Sequence, residues 1–277
     1  MAEWVKVLLL GIIEGVTEFL PVSSTGHLII SAEFMQLRDS LDGTFEIFIQ
    51  IGAVFAVLFY YRVQLWQQLF ALPANSSVQK LWLGVFIAFI PAAVIGLLLG
   101  DLIDRLLFNP LVVAGALIVG GLLFLVVERL RFSDNAEKQR AEKQRDEKQK
   151  TENTITVRQA VIVGLWQVLA LIPGMSRSGM SIIGGMLAGL DRQDATQFSF
   201  YLAIPTLGAA TVYTLLSNLD EISQSDLVLL LLGAVISAVV AWLSIGWLLR
   251  YVSSNNFIPF GYYRIAVGLL ILLVVLF

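Results

Sequence analysis

The feature that most restricts this chain is a set of long apolar runs. Leu83–Leu99, Leu111–Val127, Leu227–Leu249 and Ala266–Phe277 contain no charged residue. Crossing the hydrocarbon core of a bilayer takes about 20 helical residues, fewer for partial spans, so these runs read as membrane helices. Composition agrees: of 277 residues 57% are hydrophobic, and the mean hydropathy of +0.81 lies far above that of a soluble domain. The first apolar segment does not read as a signal peptide, because it carries glutamates and has no small-residue cleavage site. The chain has no cysteine, which excludes disulfides, thiol catalysis and cysteine-bound metal. No basic patch with interleaved aromatics suggests nucleic acid. The net charge of −3 says little, since in a membrane protein the distribution of charge matters more than its sum.

Against this background Gly11–His27, GIIEGVTEFLPVSSTGH, stands out. It starts as a membrane-type helix, carries Glu14 and Glu18, breaks at Pro21 and ends in Ser23, Ser24, Thr25, Gly26 and His27, the chain's only histidine. Charged groups at membrane depth are expensive and by default functional. The apolar pieces on either side, Val5–Leu20 and His27–Leu37, are each too short to span comfortably. The pattern predicts a re-entrant helix–loop–helix, which is tolerated only when buried in protein or facing a wet cavity.

The same pattern returns later. Gly164–Gly179, GLWQVLALIPGMSRSG, aligns without a gap on Gly11–Gly26 at an offset of 153 residues. Gln167 then falls on Glu14, Ser176 on Ser23, Arg177 on Ser24 and Ser178 on Thr25. Phe45 and Phe198 keep that offset, while Phe108/Phe257 and Pro110/Pro259 are 149 apart. The expected architecture is an all-α integral membrane protein of two repeats, 1–129 and 157–277. Each repeat is one re-entrant pair plus three transmembrane helices; in the first these are Phe45–Tyr61, Leu83–Leu99 with a kink at Pro91, and Pro110–Glu128. Three spans per unit invert the second copy, and inverted repeats put their sites near the midplane where broken helices meet. The connector 130–156 contains a charged five-residue repeat, AEKQRAEKQRDEKQK, with no apolar face. It reads equally as a solvated helix or as a disordered linker.

Lys and Arg in short loops set orientation. Arg62, Lys80, Arg129, Arg131, Arg158, Arg192 and Arg250 share one side, which is therefore cytoplasmic and includes the connector. Lys6, Arg38, Arg105 and the acidic loop Ser217–Asp226 lie on the other side, with both termini. The first re-entrant pair then enters from outside and the second from the cytoplasm.

The residue types limit the chemistry. Glu14 and Glu18 share a helix face and could hold Mg²⁺ or Ca²⁺ with water and phosphate oxygens; alternatively one acts as a general base, or both are structural. Ser23, Ser24 and Thr25 stand at a helix N-terminus, which suits an anion, and a hydroxyl there could bind phosphate, attack it or merely cap the helix. His27, three residues after Ser24, could supply the adjacent base that hydroxyl activation needs. Arg177 matches phosphate oxygens with paired donors. Ser176, Ser178 and the N–H groups around Gly174 and Gly179 would complete an anion cradle; an ion pair of Arg177 with Glu14 or Glu18 is compatible with this. Glu46, Gln50, Gln167 and Arg264 lie in spans and should face the interior, as substrate contacts, as support or as both. Gly96/Gly100 and Gly185/Gly189 have helix-packing spacing.

The segments EGVTEFLPVSSTGH and PGMSRSG resemble the two motifs, ExxxE…PVSSTGH and PGxSRSxxT, of the bacterial undecaprenyl-diphosphatases, the integral-membrane bacitracin-resistance family. The resemblance covers nearly the whole chain outside the connector, which is longer than usual for the family. It implies hydrolysis of undecaprenyl diphosphate to the monophosphate and phosphate, which recycles the lipid carrier for cell-wall synthesis. It further implies a divalent cation and a site open to the outer face of the cytoplasmic (inner) membrane. Carried onto this chain, Ser24 is the nucleophile, Arg177 the phosphate clamp, Glu14 and Glu18 the metal or acid/base residues, and His27 the proton-transfer partner. Ser23, Thr25, Gly26, Ser176, Ser178 and Gly179 are phosphate contacts. The last Thr of the second motif is Ser181 here, which keeps the hydroxyl. The implied partners are a polyprenyl diphosphate and the bilayer, with a homodimer as one assembly state. The rival class is a transporter or flippase for a polyprenyl phosphate or another anionic lipid or solute, which facing half-helices would also suit.

Overall fold

The computed structural model describes residues 2–35, 44–142, 155–217 and 227–276, and all regular structure among them is helical. In chain order the elements are α1 (Glu3–Thr17), α2 (Ser24–Met35), α3 (Thr44–Tyr60), α4 (Arg62–Ala71), α5 (Ser76–Leu107) and α6 (Pro110–Glu142). Then come α7 (Val157–Val168), a 3-10 turn (Leu169–Leu171), α8 (Arg177–Leu187), α9 (Arg192–Ser217), α10 (Leu227–Val252) and α11 (Ile258–Leu276). Among the described residues five helices are long and apolar enough to cross a membrane: α5, α6 through Leu130, α9, α10 and α11. A sixth span results if α3 and α4, bent by 65° at Tyr61, are read as one broken crossing. The chain is thus an all-α, multi-pass membrane protein.

Helix boundaries follow local chemistry. Thr156 and Gln159 cap α7 reciprocally. Asn109 accepts from the Val112 N–H ahead of α6, whose first residue is Pro110. Helices α5 and α9 run on through Pro91 and Pro205.

Three local features add detail to the expected architecture. The stretch after Tyr61 forms helix α4, with Trp66 and Phe70 both exposed; such a helix suits a membrane–water interface. The connector's start continues α6 as far as Glu142, while residues 143–154, like Arg38 and the acidic loop 218–226, lie outside the described residues. Gly100 faces open space and Gly96 touches only Leu171. That pair lines a cleft of about 320 Å³ between α5 and α9 instead of packing two helices.

The two halves interlock. Helix α1 lies against α10 and α7 against α5, so each short first helix packs on the long span of the other half. Gly11 and Gly164, 153 apart, permit this: a Cβ would lie 3.0 Å from the Gly233 carbonyl oxygen at the first and 2.8 Å from that of Ala88 at the second. The main core sits between these layers, around Phe19, Val57, Met180, Phe200 and Ile245.

One polar tie closes the bundle at the Arg192 end of α9. Glu128, fully buried, receives Arg192 Nε at 2.9 Å and Nη2 at 2.6 Å, and the Phe257 N–H at 2.9 Å. Removing one partner of a buried pair strands the other. Glu128→Ala should therefore cost about 2–3 kcal/mol, below the full penalty for a buried pair because Arg192 keeps a quarter of its side chain exposed. Thermal unfolding in detergent checks this, and an unchanged midpoint would mean the tie carries no stability.

Candidate active site

The two breaks meet. Helix α1 runs into Glu18, whose N–H still bonds the Glu14 carbonyl at 2.9 Å. Pro21, which has no N–H and disfavours helix in the residue before it, then stops the helix. Ser23 reverses the chain with φ +72°, and Ser176 does the same with φ +73°. These are the only non-glycine residues with positive φ among the described residues. Each costs of the order of 1–2 kcal/mol, and such strain clusters at functional sites. Both serines then cap the helix that follows: Gly26 N–H donates to Ser23 Oγ at 3.3 Å, and Gly179 N–H to Ser176 Oγ at 3.1 Å.

The reversal folds Ser24 back onto α1, where its hydroxyl donates to Glu18 Oε2 at 2.6 Å. The other oxygen of the same carboxylate receives Arg177 Nη2 at 3.0 Å. One buried carboxylate therefore joins the first residue of α2 to the first residue of α8. Arg177 Nη1 donates to the carbonyl of Ser199 at 3.1 Å and to its hydroxyl at 3.4 Å. Its Nε–H is buried and has no partner, leaving a donor free for an anion. Ser178 Oγ donates across to the Leu20 carbonyl at 2.9 Å and shares a 3.1 Å contact with Ser176 Oγ. Ser181 donates to the Arg177 carbonyl at 2.8 Å and lies 2.7 Å from Ser199 Oγ. None of these contacts involves Thr25, which is half-buried.

His27 faces elsewhere. Its Nδ1 lies 2.7 Å from the Ser23 carbonyl and its Nε2 2.7 Å from the Tyr263 hydroxyl. A carbonyl can only accept, so in the neutral ring Nδ1 carries the proton and Nε2 accepts from Tyr263. The group touching the Ser24 hydroxyl is Glu18.

Glu14 is fully buried, and neither of its carboxylate oxygens has a hydrogen-bond partner. Such orphaned acceptors are rare in folded proteins and point to a missing ion or water. Among the described residues no three His, Asp or Glu side chains gather into a cation cage. Mg²⁺, however, is commonly bound by one or two carboxylates together with substrate phosphates. Glu14 beside Glu18 fits such an ion.

Some residues take roles that spacing alone did not assign. Gln167, the counterpart of Glu14, ties α7 to its neighbours: it donates to the Ala88 carbonyl at 3.3 Å and accepts from Thr206 at 3.4 Å. Glu46 is exposed rather than interior. Its counterpart at the 153-residue offset is Ser199, so the repeat itself carried the signal for that Arg177 contact. Tyr263 gave no signal in the sequence. Arg264 is wholly buried and donates to five backbone carbonyls.

The family described as Bacitracin resistance protein BacA matches residues 7–270. The chain belongs to this family. Among curated relatives, the undecaprenyl-diphosphatase of a Polaromonas species is 47% identical over 98% of this chain and 95% of its own. That of Deinococcus deserti is 46% identical over 99% and 96%. The match to the BacA family takes in both breaks and every side chain described at their junction.

Proposed function

We propose that this BacA-family chain is an undecaprenyl-diphosphate phosphatase, releasing phosphate and undecaprenyl phosphate and so recycling the lipid carrier. The observation that carries the chemistry is the Ser24–Glu18–Arg177 junction, with the hydroxyl 2.6 Å and the guanidinium 3.0 Å from one carboxylate. Arg177 neutralises charge on the terminal phosphoryl group, aided by Ser176, Ser178 and the N–H groups at the two helix N-termini. Ser24 Oγ attacks the terminal phosphorus while its proton passes to Glu18. The bond from that phosphorus to the bridging oxygen breaks, and undecaprenyl phosphate leaves. Water then cleaves the phosphoserine, returning the serine hydroxyl and releasing phosphate. His27, held by Ser23 and Tyr263, relays protons at the rim. Glu14, with Glu18, would hold the divalent cation, which supplies further charge neutralisation at the phosphates.

The inverted-repeat reading has structural support. The equal φ of Ser23 and Ser176, the matching caps and the crossed packing of α1 on α10 and α7 on α5 are what two interlocked, oppositely oriented copies would produce. In this reading 1–129 and 157–277 are the copies, 130–156 is a cytoplasmic connector, and the site opens to the periplasmic face. The prenyl tail lies between helices or in lipid, and the chain acts as a monomer or as a homodimer.

The test is phosphate release from a polyprenyl diphosphate by detergent-purified protein, with and without chelator. Release that chelator abolishes and Mg²⁺ or Ca²⁺ restores is expected, and binding without turnover would turn the reading to transport. Glu14→Gln should raise the metal concentration needed for half-maximal rate at least about ten-fold, the scale for losing a metal-site partner. An unchanged metal titration would remove Glu14 from the ion's ligands.

A further inference from the structure

Arg264 sits in the N-terminal half of α11 with no exposed surface. Its Nη1 donates to the Pro21 carbonyl at 3.2 Å, and its Nη2 to those of Gly174 at 2.9 Å and Met175 at 3.0 Å. Gly174 lies 153 residues after Pro21, the offset that relates the two motifs. One guanidinium thus binds the corresponding carbonyl in each break. Both carbonyls stand two residues ahead of a left-handed serine, Ser23 in one break and Ser176 in the other. Nη2 and Nε also donate to the carbonyls of Ala116 and Leu117 on α6, at 3.3 and 3.4 Å.

The surroundings are shaped to admit this side chain. A Cβ on Gly120 would run into the guanidinium, and one on Gly121 would press on the Arg264 Cβ. Arg264 joins none of the ion pairs among the described residues. Burying a guanidinium at this depth on carbonyls alone is expensive, so its place needs a reason beyond packing. The 149-residue offset puts Gly115 at the corresponding place in the first half, so a single cation serves both breaks.

We propose that Arg264 is a positioning residue that clasps the two breaks at corresponding carbonyls and so sets Ser24 and Arg177 against one another. The catalytic part of this rests on the phosphatase reading above. The mechanical part does not: clasping each carbonyl fixes the peptide plane one residue before the peptide that leads into the strained serine. Both serines aim the next residue, Ser24 or Arg177, at the shared Glu18 carboxylate. Loosening the clasp should misalign nucleophile and clamp together, and misplacement of reacting groups by about 1 Å is enough to cost about a hundred-fold in rate.

Arg264→Lys, Arg264→Met and Gly120→Ala are compared with wild type in detergent, with Gly115→Ala as control because a Cβ there meets open space. Kinetics on a polyprenyl diphosphate are read beside amide hydrogen exchange in the peptides covering the two breaks. The expected result is a kcat lowered about a hundred-fold in both Arg264 variants, with KM nearly unchanged and faster exchange in both breaks. Gly120→Ala, which keeps every charge, should follow in the same direction, and Gly115→Ala should match wild type. Lysine restoring the wild-type kcat would overturn the clasp in favour of charge alone. Faster exchange in one break only, or in neither, would overturn it too. Should the Arg264 variants fail to fold, Gly120→Ala carries both readouts. A wild-type protein that releases no phosphate would sink the phosphatase reading, while the exchange data would still judge the clasp.

Discussion

Glu18→Gln should lower kcat by about three orders of magnitude, within the range for loss of a general base. The carboxylate accepts from Ser24 on one oxygen and from Arg177 on the other. An amide has one acceptor and one donor end. If its oxygen takes the Ser24 proton, its NH₂ faces the guanidinium, donor against donor; if it turns, the serine loses its acceptor. Neither orientation provides a base, and Arg177 is left as a half-buried cation without its counter-charge. That second loss destabilises the fold by about 3 kcal/mol, so rates must be taken per folded molecule, from the monodisperse fraction in detergent. A rate within ten-fold of wild type would remove Glu18 from proton transfer and return that role to His27.

Ser24→Ala should abolish the covalent intermediate, and with it all but about a thousandth of the rate, the scale of loss when a nucleophile or its base is removed. The substitution is mild for the fold: Ser24 opens α2 and alanine is a good helix former. Ser23, which supplies the cap, stays in place. A substrate labelled in its terminal phosphate, quenched in acid during turnover, should leave label on the wild-type chain and none on the variant. If Ser24→Ala keeps a rate within ten-fold and neither protein holds label, water attacks directly and the serine only binds.

The two breaks, the offset between them and the polar residues they carry were legible, because each is a local departure from an apolar helix and membrane depth makes such departures costly. Which candidate touches the Ser24 hydroxyl was not, since Glu14, Glu18 and His27 were all open. Three-residue spacing suggested His27, but the ring turns to the Ser23 carbonyl and to Tyr263 on α11. Glu18 reaches the serine because Ser23 adopts a left-handed turn, which helical periodicity does not anticipate. Arg177–Glu18 joins residues 159 apart, and no local pattern encodes a pairing at that separation.

By itself, then, the sequence determined the membrane class, the gapless match between the two breaks and the inventory of polar groups they carry, because hydropathy, Pro and Gly act through neighbouring residues. Only the tertiary structure decided which groups touch. It packed each first helix on the other half and pressed both breaks together. It put one carboxylate between a hydroxyl and a guanidinium, and left Glu14 without a partner. Those pairings depend on how non-adjacent helices fill a shared core, where close packing and the need to satisfy every buried polar group select one arrangement. For that reason Arg264, one more polar residue in a span when read along the chain, becomes in three dimensions the group that bonds to both halves of the site.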